Sequence, residues 1–351
     1  MTPSNGACLR GGIRLLALAA ASVCLSPCVQ AESSLWRRLG PDGASNITGI
    51  GLDPSNRLAL YVTSDSGAPG APGVWKSLDG GETWTSLGAG DPDLTRATCI
   101  AVGVVNPQNL YVGTANGLVV SSHDAGATWT KANAAGKPGN ANPVTSIAVQ
   151  PATGSIHAAM RETEVCNAVE TPVSRSADIG ATWGVTNVEE HKPVYALLSD
   201  PLGSSVFAGT DFTWSEDFTG FGCAGGWGGG VERTEDAGGR WSPSAIDFGF
   251  PVMALAADGQ GGIVAGTESG GIFRSEDSGE TWVTLAALPG AVAAIAIDTA
   301  GTSNLYAALP SFGFWRSVDG GTSWRPFDAG LESESVRSLA IDPAGRTLYA
   351  G

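Results

Sequence analysis

Residues 275–282 read Ser-Glu-Asp-Ser-Gly-Glu-Thr-Trp, and this stretch decides the fold because it recurs along the chain. The shared pattern is a hydroxyl residue, an aspartate two positions later, a glycine two positions after that, and a closing tryptophan. We call each copy a box. Six boxes end at Trp84, Trp129, Trp183, Trp241, Trp282 and Trp324, at intervals of 45, 54, 58, 41 and 42 residues. Self-similarity at such a period predicts a repeat architecture.

The aspartate and glycine of each box fit a tight turn between two strands. Aspartate accepts backbone N–H bonds in such a turn, and glycine adopts the positive φ that the turn requires. The tryptophan packs as a large apolar side chain between neighbouring sheets. These roles are structural, so we assign the boxes no catalytic function. Their aspartates are Asp79, Asp124, Asp178, Asp236, Asp277 and Asp319.

The sequence before each box predicts three strands, and the sequence after it predicts a fourth. In the last complete copy these are VAAIAID at 292–298, NLYAAL at 304–309, GFWRS at 313–317 and TSWRPF at 322–327. Alternating apolar residues are typical of strands buried between sheets, and the Gly- and Pro-containing pairs mark the turns. The pattern therefore predicts an all-β, seven-bladed β-propeller with six box-containing blades and one split blade.

The two ends of the chain supply the split blade. The stretches VRSLAIDP and RTLYAG near the C-terminus match first and second strands, whereas SLWRRLG near the N-terminus matches a fourth strand, with Trp36 in the position of a box tryptophan. Joining the termini in one blade closes the ring and protects its sheet edges. The third strand has no match, so either this blade has three strands or the chain stops early at Gly351.

Residues 1–31 are typical of an export signal. They contain Arg10 and Arg14, an apolar run from 15 to 23, and a small-residue cleavage site that ends at Ala31. We expect a single propeller domain over 32–351 that is secreted or periplasmic. No later apolar run is long enough to span a bilayer, so we expect no membrane insertion.

The net charge of the chain limits the classes of partner that we expect. The leader carries two arginines and no acidic residue, so its removal takes the formal charge from −15 to −17. Such a charge repels nucleic acid, and we therefore expect a protein or glycan partner, and a monomer. The pattern includes no cofactor motif, no metal-ligand set and no recognised calcium loop, so we expect neither cofactor nor metal.

Two neighbouring blades break the repeat with long loops between their second and third strands, at 161–172 and 211–230. Both loops open on the propeller face opposite the boxes, so we expect them to be adjacent. Each holds one cysteine of the mature chain, and we predict a disulfide between Cys166 and Cys223, with Cys99 a buried free thiol. The alternative is that all three cysteines are unpaired.

The second loop gathers aromatic and acidic side chains that suit sugar rings, peptides or cations. An alternative is that its aromatic residues only pack the loop onto the blade below. His191, in the turn that leaves the preceding blade, is a lone histidine and fits a solvated position. The predicted ligand-binding residues are Phe212, Trp214, Glu216, Asp217, Phe218, Phe221 and Trp227, and the weak catalytic candidates are Glu162, Glu164, Glu216 and Asp217.

The six boxes resemble those of the BNR/Asp-box superfamily over almost all of residues 34–351. That superfamily includes sialidases, xyloglucan-degrading glycosidases, sortilin-type receptors and photosystem II assembly factors. The sialidase signature Arg-Ile-Pro does not occur in this sequence. Tyr61, Tyr111, Tyr306 and Tyr349 occupy one repeated strand position, and Tyr195 lies in a first strand, so none is a free nucleophile. We therefore disfavour sialidase chemistry.

Two functions remain open. The first is a non-enzymatic binding or assembly module for a protein or glycan, which uses the two long loops. The second is a glycoside hydrolase of the BNR-repeat type with carboxylates on the same face. The xyloglucan-type enzymes use two facing propellers, whereas this chain offers one, and a glycosidase needs two carboxyl groups about 5 to 9.5 Å apart. The single-propeller assembly factors resemble the chain more closely in architecture.

Overall fold

The computed structural model describes residues 14–17, 36–44, 46–65, 70–134, 142–161, 173–186, 188, 193–211, 214–216, 223–225, 229–244, 248–300, 304–328, 331, 335–342, 345 and 347–351. For 14–17, 214–216 and 223–225 it describes the backbone alone. All regular elements in these ranges are β-strands. None of the described residues forms a helix with the length and apolar character needed to cross a membrane.

Thirty strands lie within the described ranges. They are β1 (Arg14–Ala17), β2 (Trp36–Arg38), β3 (Ile47–Leu52), β4 (Leu60–Ser64), β5 (Val74–Ser77), β6 (Thr85–Leu87), β7 (Ala97–Val102), β8 (Leu110–Thr114), β9 (Leu118–Ser122), β10 (Thr130–Asn133), β11 (Val144–Val149), β12 (Ile156–Met160), β13 (Val173–Ser176), β14 (Gly184–Val185), β15 (Val194–Ser199), β16 (Val206–Thr210), β17 (Trp214–Glu216), β18 (Cys223–Gly225), β19 (Gly230–Thr234), β20 (Ser242–Pro243), β21 (Val252–Ala257), β22 (Ile263–Thr267), β23 (Gly271–Ser275), β24 (Val283–Ala287), β25 (Ala294–Ile297), β26 (Leu305–Leu309), β27 (Gly313–Ser317), β28 (Arg325–Pro326), β29 (Leu339–Ile341) and β30 (Thr347–Ala350).

Six of the described sheets are four-stranded and antiparallel, and each follows the predicted order of one blade. Blade 1 is β3–β6, blade 2 is β7–β10, blade 3 is β11–β14, blade 5 is β21–β24 and blade 6 is β25–β28. Blade 4 consists of β15, β16, β19 and β20, with the hairpin β17–β18 inserted between its second and third strands. The first strands of successive blades contact one another around the centre. The chain is thus an all-β propeller, as the repeat predicts.

The core lies between the sheets. All five residues of each second strand in blades 1 to 6 are buried, because these strands occupy the middle of sheets whose two faces are covered by neighbours. Tyr61, Tyr111 and Tyr306 are at most 1% exposed in these strands. Their burial agrees with the interpretation that the repeated tyrosines belong to the core.

The box turn is built as predicted, and blade 5 shows its hydrogen bonds. The Ser275 hydroxyl donates to Asp277 Oδ1 over 2.8 Å and accepts from the Gly279 amide over 2.8 Å. The Thr281 amide and hydroxyl donate to the two carboxylate oxygens of Asp277, over 2.8 and 2.5 Å. Hydrogen bonds from Thr281 and then Ser275 lower the pKa of Asp277 to about 2. The carboxylate therefore acts as the acceptor that holds the turn.

In several blades the residue three positions after the fourth-strand tryptophan contacts the box glycine of the next blade. Leu87 of blade 1 lies against Gly126 in the box of blade 2, where an added Cβ would be 2.4 Å from Leu87 Cδ1. Gly126 has φ +94°, so both its backbone and its surroundings favour glycine. We call this residue the plug of a blade. Leu39 packs in the same way against Gly81, Thr186 against Gly238 and Leu285 against Gly321.

A further four-stranded sheet combines both ends of the described chain, in the order β2-β1-β30-β29. We call it the closing sheet. On one side Trp36 packs its ring edge-on against Phe314 of blade 6, with the ring centroids 5.1 Å apart. On the other side Tyr349 joins Leu39 and Leu60 in one buried cluster, and Leu60 belongs to blade 1. The sheet therefore lies between blade 6 and blade 1.

The strand β1 occupies the position for which the sequence offers no third strand. It runs parallel to both β2 and β30, whereas the paired strands of blades 1 to 6 are antiparallel. Its residues fall in the segment predicted to be an export signal. Extended backbone there satisfies the edges of β2 and β30, which would otherwise present unpaired N–H and C=O groups.

Candidate functional site

The two long loops lie on the face opposite the boxes. Strand β12 pairs with β13 and β16 pairs with β19, so both loops connect a second strand with a third strand. The boxes lie at the other end of these strands, beside the turns between first and second strands. In blade 1, for example, the Gly80 amide donates to the Leu58 carbonyl over 2.9 Å. We call the face with the long loops the loop face.

One backbone hydrogen bond recurs on the loop face and identifies equivalent positions. In blades 1 to 5 the residue after the second strand donates its amide to the residue that precedes the first strand of the same blade. Arg161 donates in this way to Pro143, Asp211 to Pro193 and Glu268 to Pro251, each over 3.0 Å. Blades 3, 4 and 5 thus present arginine, aspartate and glutamate at equivalent positions. The first two are also the described ends of the long loops.

A second repeat, on the first strands, stops at the same blades. Thr48, Thr98 and Thr145 occupy equivalent positions in blades 1 to 3, and each hydroxyl donates to a carbonyl of the next blade over 2.6 to 2.8 Å. Blade 4 has Tyr195 at this position. The larger side chain extends along its own blade, and its hydroxyl donates to Asp211 Oδ2 over 2.9 Å. The belt of threonines therefore ends at blade 4, where Tyr195 binds Asp211 instead.

Tyr195 and Asp211 form the centre of the candidate site. Asp211 is 8% exposed, and Tyr195 is half-buried. Burial is the main cause that raises the pKa of Tyr195, and the charge of Asp211 and its hydrogen bond raise it further. Arg161 lowers this pKa and Glu268 raises it, so both residues are close enough to act on the phenol electrostatically. The phenol remains protonated at neutral pH and acts as a hydrogen-bond donor.

The four side chains define what the site does chemically. It offers a fixed phenol and a shielded carboxylate, with an exposed cation on one side and an exposed carboxylate on the other. Such a mixture suits a polar ligand with both donor and acceptor groups, such as a sugar or a peptide. Among the described residues no group of three or more His, Cys, Asp or Glu side chains has the geometry of a metal site.

The predicted site residues lie largely outside the described residues. These are Phe212, Asp217, Phe218, Phe221, Trp227, Glu162, Glu164 and Cys166. Within the second loop, β17 and β18 form an antiparallel hairpin in which Glu216 faces Cys223 along the backbone and Trp214 faces Gly225. The predicted binding patch and the disulfide between Cys166 and Cys223 stay predictions.

Cys99 is free, as predicted. The residue as a whole is only half-buried, but burial of its thiol raises the pKa to about 12. Its sulfur lies 3.9 Å from the Thr98 hydroxyl and 3.9 Å from the Val144 carbonyl. A thiol with this pKa has almost no reactive thiolate at neutral pH.

Two members of the site were missed by the sequence analysis. Tyr195 was set aside because it lies in a first strand, and Glu268 was not singled out because blade 5 has no long loop. The signal for Tyr195 is the series Thr48, Thr98 and Thr145, which an alignment of the six repeats brings into one column. Glu268 has a weaker signal, since its column has no shared residue type: it contains Asp65, Ala115, Arg161, Asp211 and Glu268 in blades 1 to 5.

Comparisons with known proteins support the fold. No protein-family model and no curated protein matches the chain. A GH74 xyloglucanase from Xanthomonas campestris has a similar structure, with a TM-score of 0.60 and 18% identity over 87% of this chain. YCF48 from Cyanidioschyzon merolae gives a TM-score of 0.57 and 14% identity, and U3-55K gives 0.63 and 13%.

The coverage differs between these structures. The alignment spans 47% of the xyloglucanase, so this chain corresponds to about half of its length. It spans 90% of YCF48 and 90% of U3-55K, with 85% and 89% of this chain covered. At these identities the likeness defines the fold alone. The boxes, their turn geometry and these neighbours together show that the chain has the fold of a BNR/Asp-box β-propeller.

Proposed function

We propose that this protein is an exported binding module that holds a protein or glycan partner on its loop face. The observation that carries the proposal is the pairing of Tyr195 with Asp211 between the ends of two long loops. A side chain that leaves a repeated structural role and binds a shielded carboxylate at a surface is typical of a functional site in a repeat protein. The alignment covers 90% of YCF48 and 90% of U3-55K, which supports a role that one propeller of this size can carry out.

The proposed architecture is a ring of seven blades whose last blade is the closing sheet. The contacts of Trp36 with blade 6 and of Tyr349 with the cluster of blade 1 support closure. A closed ring fixes the position of each blade relative to the next, so it holds Arg161, Asp211 and Glu268 in a constant arrangement. In the exported protein β1 would be removed with the leader, and the proposed ring then closes through β2, β29 and β30.

The aromatic residues predicted for the second loop complete the proposed site. Trp214 begins the hairpin that follows Asp211, and Trp227 follows that hairpin. Aromatic faces bind sugar rings and apolar side chains, while the phenol and the carboxylate orient polar groups. A glycan or an extended peptide therefore fits the proposed combination, whereas nucleic acid is repelled by the charge of the chain.

The test combines a glycan array with affinity capture from the secreted fraction, followed by titration of the best ligand. We expect Asp211→Asn, and the double replacement Trp214→Ala with Trp227→Ala, to weaken binding at least tenfold. The matched control is Phe312→Ala, because Phe312 is an exposed aromatic residue in the corresponding loop of blade 6. Binding that is unchanged in both loop-face variants would refute the site.

The second candidate is a glycoside hydrolase of the BNR-repeat type. The similarity to the GH74 xyloglucanase favours it, as do the carboxylates of Asp211 and Glu268, which both act electrostatically on Tyr195. Hydrolysis requires two carboxyl groups at about 5 to 9.5 Å across the scissile bond. Release of reducing sugar from xyloglucan that is lost in both Asp211→Asn and Glu268→Gln would establish the enzyme. Ligand binding without any product would exclude it for that glycan.

The proposed export has its own test. Expression with the natural leader and intact-mass analysis of the protein outside the cytoplasm should give a chain that begins at Glu32. A protein that keeps residues 1–31 would contradict the leader assignment, and β1 would then be part of the mature fold. The same spectrum, acquired without reduction, decides between the Cys166–Cys223 disulfide and unpaired thiols.

A further inference from the structure

A second site lies between blades 4 and 5 at the box end of β19, away from the loop face. A cleft of about 530 Å³ opens there, and the box of blade 4 and the following strand form one wall. The box of blade 5 forms the other wall through Gly279 and Glu280. Thr210 pairs with Gly230 at the opposite end of β19, whereas most residues that line the cleft lie at the box end of the blade.

The cleft is wider than its counterpart between blades 1 and 2 because blade 4 has only a short residue at the plug position. In blade 1 the plug Leu87 fills the corresponding space against Gly126, and in blade 5 the plug Leu285 fills it against Gly321. In blade 4 the equivalent residue is Ser244, which is too short to reach Gly279. The side chain nearest to an added Cβ at Gly279 is instead Phe207, at 3.1 Å. The cleft here is therefore larger than the cleft of about 390 Å³ that Leu87 lines between blades 1 and 2.

The side chain of Arg233 extends into this cleft. Each of its counterparts donates to a side chain in the turn between the first and second strands of its own blade, over 3.0 to 3.2 Å. These counterparts are Arg175, Arg274 and Arg316. Arg233 donates instead across the cleft to the Ser278 carbonyl of blade 5, over 2.9 Å. It also binds Glu235 and lies 3.8 Å from Glu280. A guanidinium thus already bridges the two walls.

Arg240 supplies a second guanidinium. Five boxes have threonine or serine before the tryptophan, and its hydroxyl donates to the box aspartate over 2.5 to 2.6 Å. The box of blade 4 has Arg240 instead, which keeps only the amide bond to Asp236 Oδ1, at 2.8 Å. The Arg240 side chain is exposed, and no described residue accepts a hydrogen bond from its guanidinium. Compared with the other boxes, this box lacks a stabilising hydroxyl and has a cation on the cleft wall in its place.

We propose that the cleft binds the carboxylate group of an acidic ligand between Arg233 and Arg240. Guanidinium groups bind carboxylates through paired, charge-assisted hydrogen bonds. Glu235 and Glu280 now occupy the carboxylate positions at Arg233, but their side chains are 65% and 73% exposed. Ion pairs of such exposed groups are weak, so a ligand carboxylate displaces them. Pro243 lines the same cleft and is exposed, so it contacts the uncharged part of the ligand.

The test uses two probes that carry the same carboxylate on different scaffolds. Glucuronate presents it on a sugar, N-acetyl-aspartate methylamide presents it on a peptide unit, and methyl glucoside is the uncharged control. Binding is measured by calorimetric titration and by ligand-observed NMR at low salt. We expect at least one acidic probe to bind and methyl glucoside not to bind. The scaffold that binds more tightly identifies the source of the natural carboxylate.

Two variants separate this site from a structural effect. Arg240→Thr restores the hydroxyl of the other boxes, so it folds, and we expect it to weaken binding at least tenfold. Glu280→Gln removes a competing carboxylate, and we expect it to tighten binding several-fold, which a merely structural residue would not do. Arg325→Thr, which removes an exposed arginine from the outer strand of blade 6, is the control. The proposal is overturned if neither acidic probe binds, if Arg240→Thr leaves the affinity unchanged, or if Glu280→Gln weakens binding.

Discussion

Replacement of Trp36 by alanine tests whether the N-terminal strand closes the ring. Trp36 is only 3% exposed, its ring edge lies against Phe314 at 5.1 Å, and its Nε1 donates to the Phe327 carbonyl over 3.2 Å. Truncation of a fully packed tryptophan costs about 3 to 5 kcal/mol. Within that total the edge-to-face pair contributes about 1 kcal/mol and the hydrogen bond about 1 kcal/mol.

The assay is urea denaturation followed by far-UV circular dichroism, which does not depend on the fluorescence of the deleted tryptophan. Trp282→Ala gives the reference value for a box tryptophan inside the ring, since Trp282 is 8% exposed and packs edge-on against Phe248 at 5.3 Å. We expect Trp36→Ala to lower the free energy of unfolding by a similar amount. A double-mutant cycle with Phe314→Ala should return a coupling of about 1 kcal/mol.

The reasoning fails if Trp36→Ala stays within about 0.5 kcal/mol of the parent, as surface substitutions do, while Trp282→Ala costs several times more. In that case the N-terminal strand would not be part of the cooperative unit. A loss in Trp36→Ala without coupling to Phe314 would show instead that the tryptophan stabilises the fold through other neighbours.

Three further expectations concern acid stability and reactivity. Burial lowers the pKa of His157 to about 4, below its ordinary 6.5, so the unfolded chain binds the proton first and stability falls as pH drops from 6.5 towards 4. His157→Phe, which copies Phe207 of blade 4, should flatten that slope, and an unchanged pH profile of urea midpoints would contradict it. Thr281→Val removes the main hydrogen bond that lowers the pKa of Asp277 to about 2. The stability of the variant should therefore depend less on pH between pH 4 and 2. A stability profile identical to that of the parent would show that the backbone amide bonds to Asp277 suffice. Cys99 should resist a thiol reagent at pH 8 in the native protein and react after unfolding, as followed by peptide mapping; rapid native labelling would refute its burial.

The sequence predicted the blades because the box is a local signal. Six copies of one turn reveal the period, and the strands between them follow from alternating apolar residues. The N-terminal strand was assigned to the closing sheet from Trp36 alone, which copies the position of a box tryptophan. The segment Arg14–Ala17 was not assigned to that sheet, because its apolar run is typical of an export signal and only the paired edges of β2 and β30 place it there.

The candidate site was located only in part. Long loops are visible in a sequence as departures from the period, and their described ends Arg161 and Asp211 lie at equivalent positions of adjacent blades. The partnership of Tyr195 with Asp211 depends on strand register and on side-chain direction, which single-sequence patterns do not contain. The cleft between blades 4 and 5 depends on Ser244, which stands where blades 1 and 5 have leucine. This difference can be interpreted only once the contact between the leucine and the box glycine is known from the structure.

The unequal plugs also bear on how the ring comes apart. A circle of blades in contact with their neighbours has a stability that is a sum of seam energies, and local opening begins at the weakest seam. The seam between blades 4 and 5 has Ser244 and open space where others have leucine against glycine. We expect amide hydrogens of β20 and of the box of blade 5 to exchange first under native conditions. A ligand bound in this cleft would then hold blades 4 and 5 together, and its binding would slow the local opening of the whole ring.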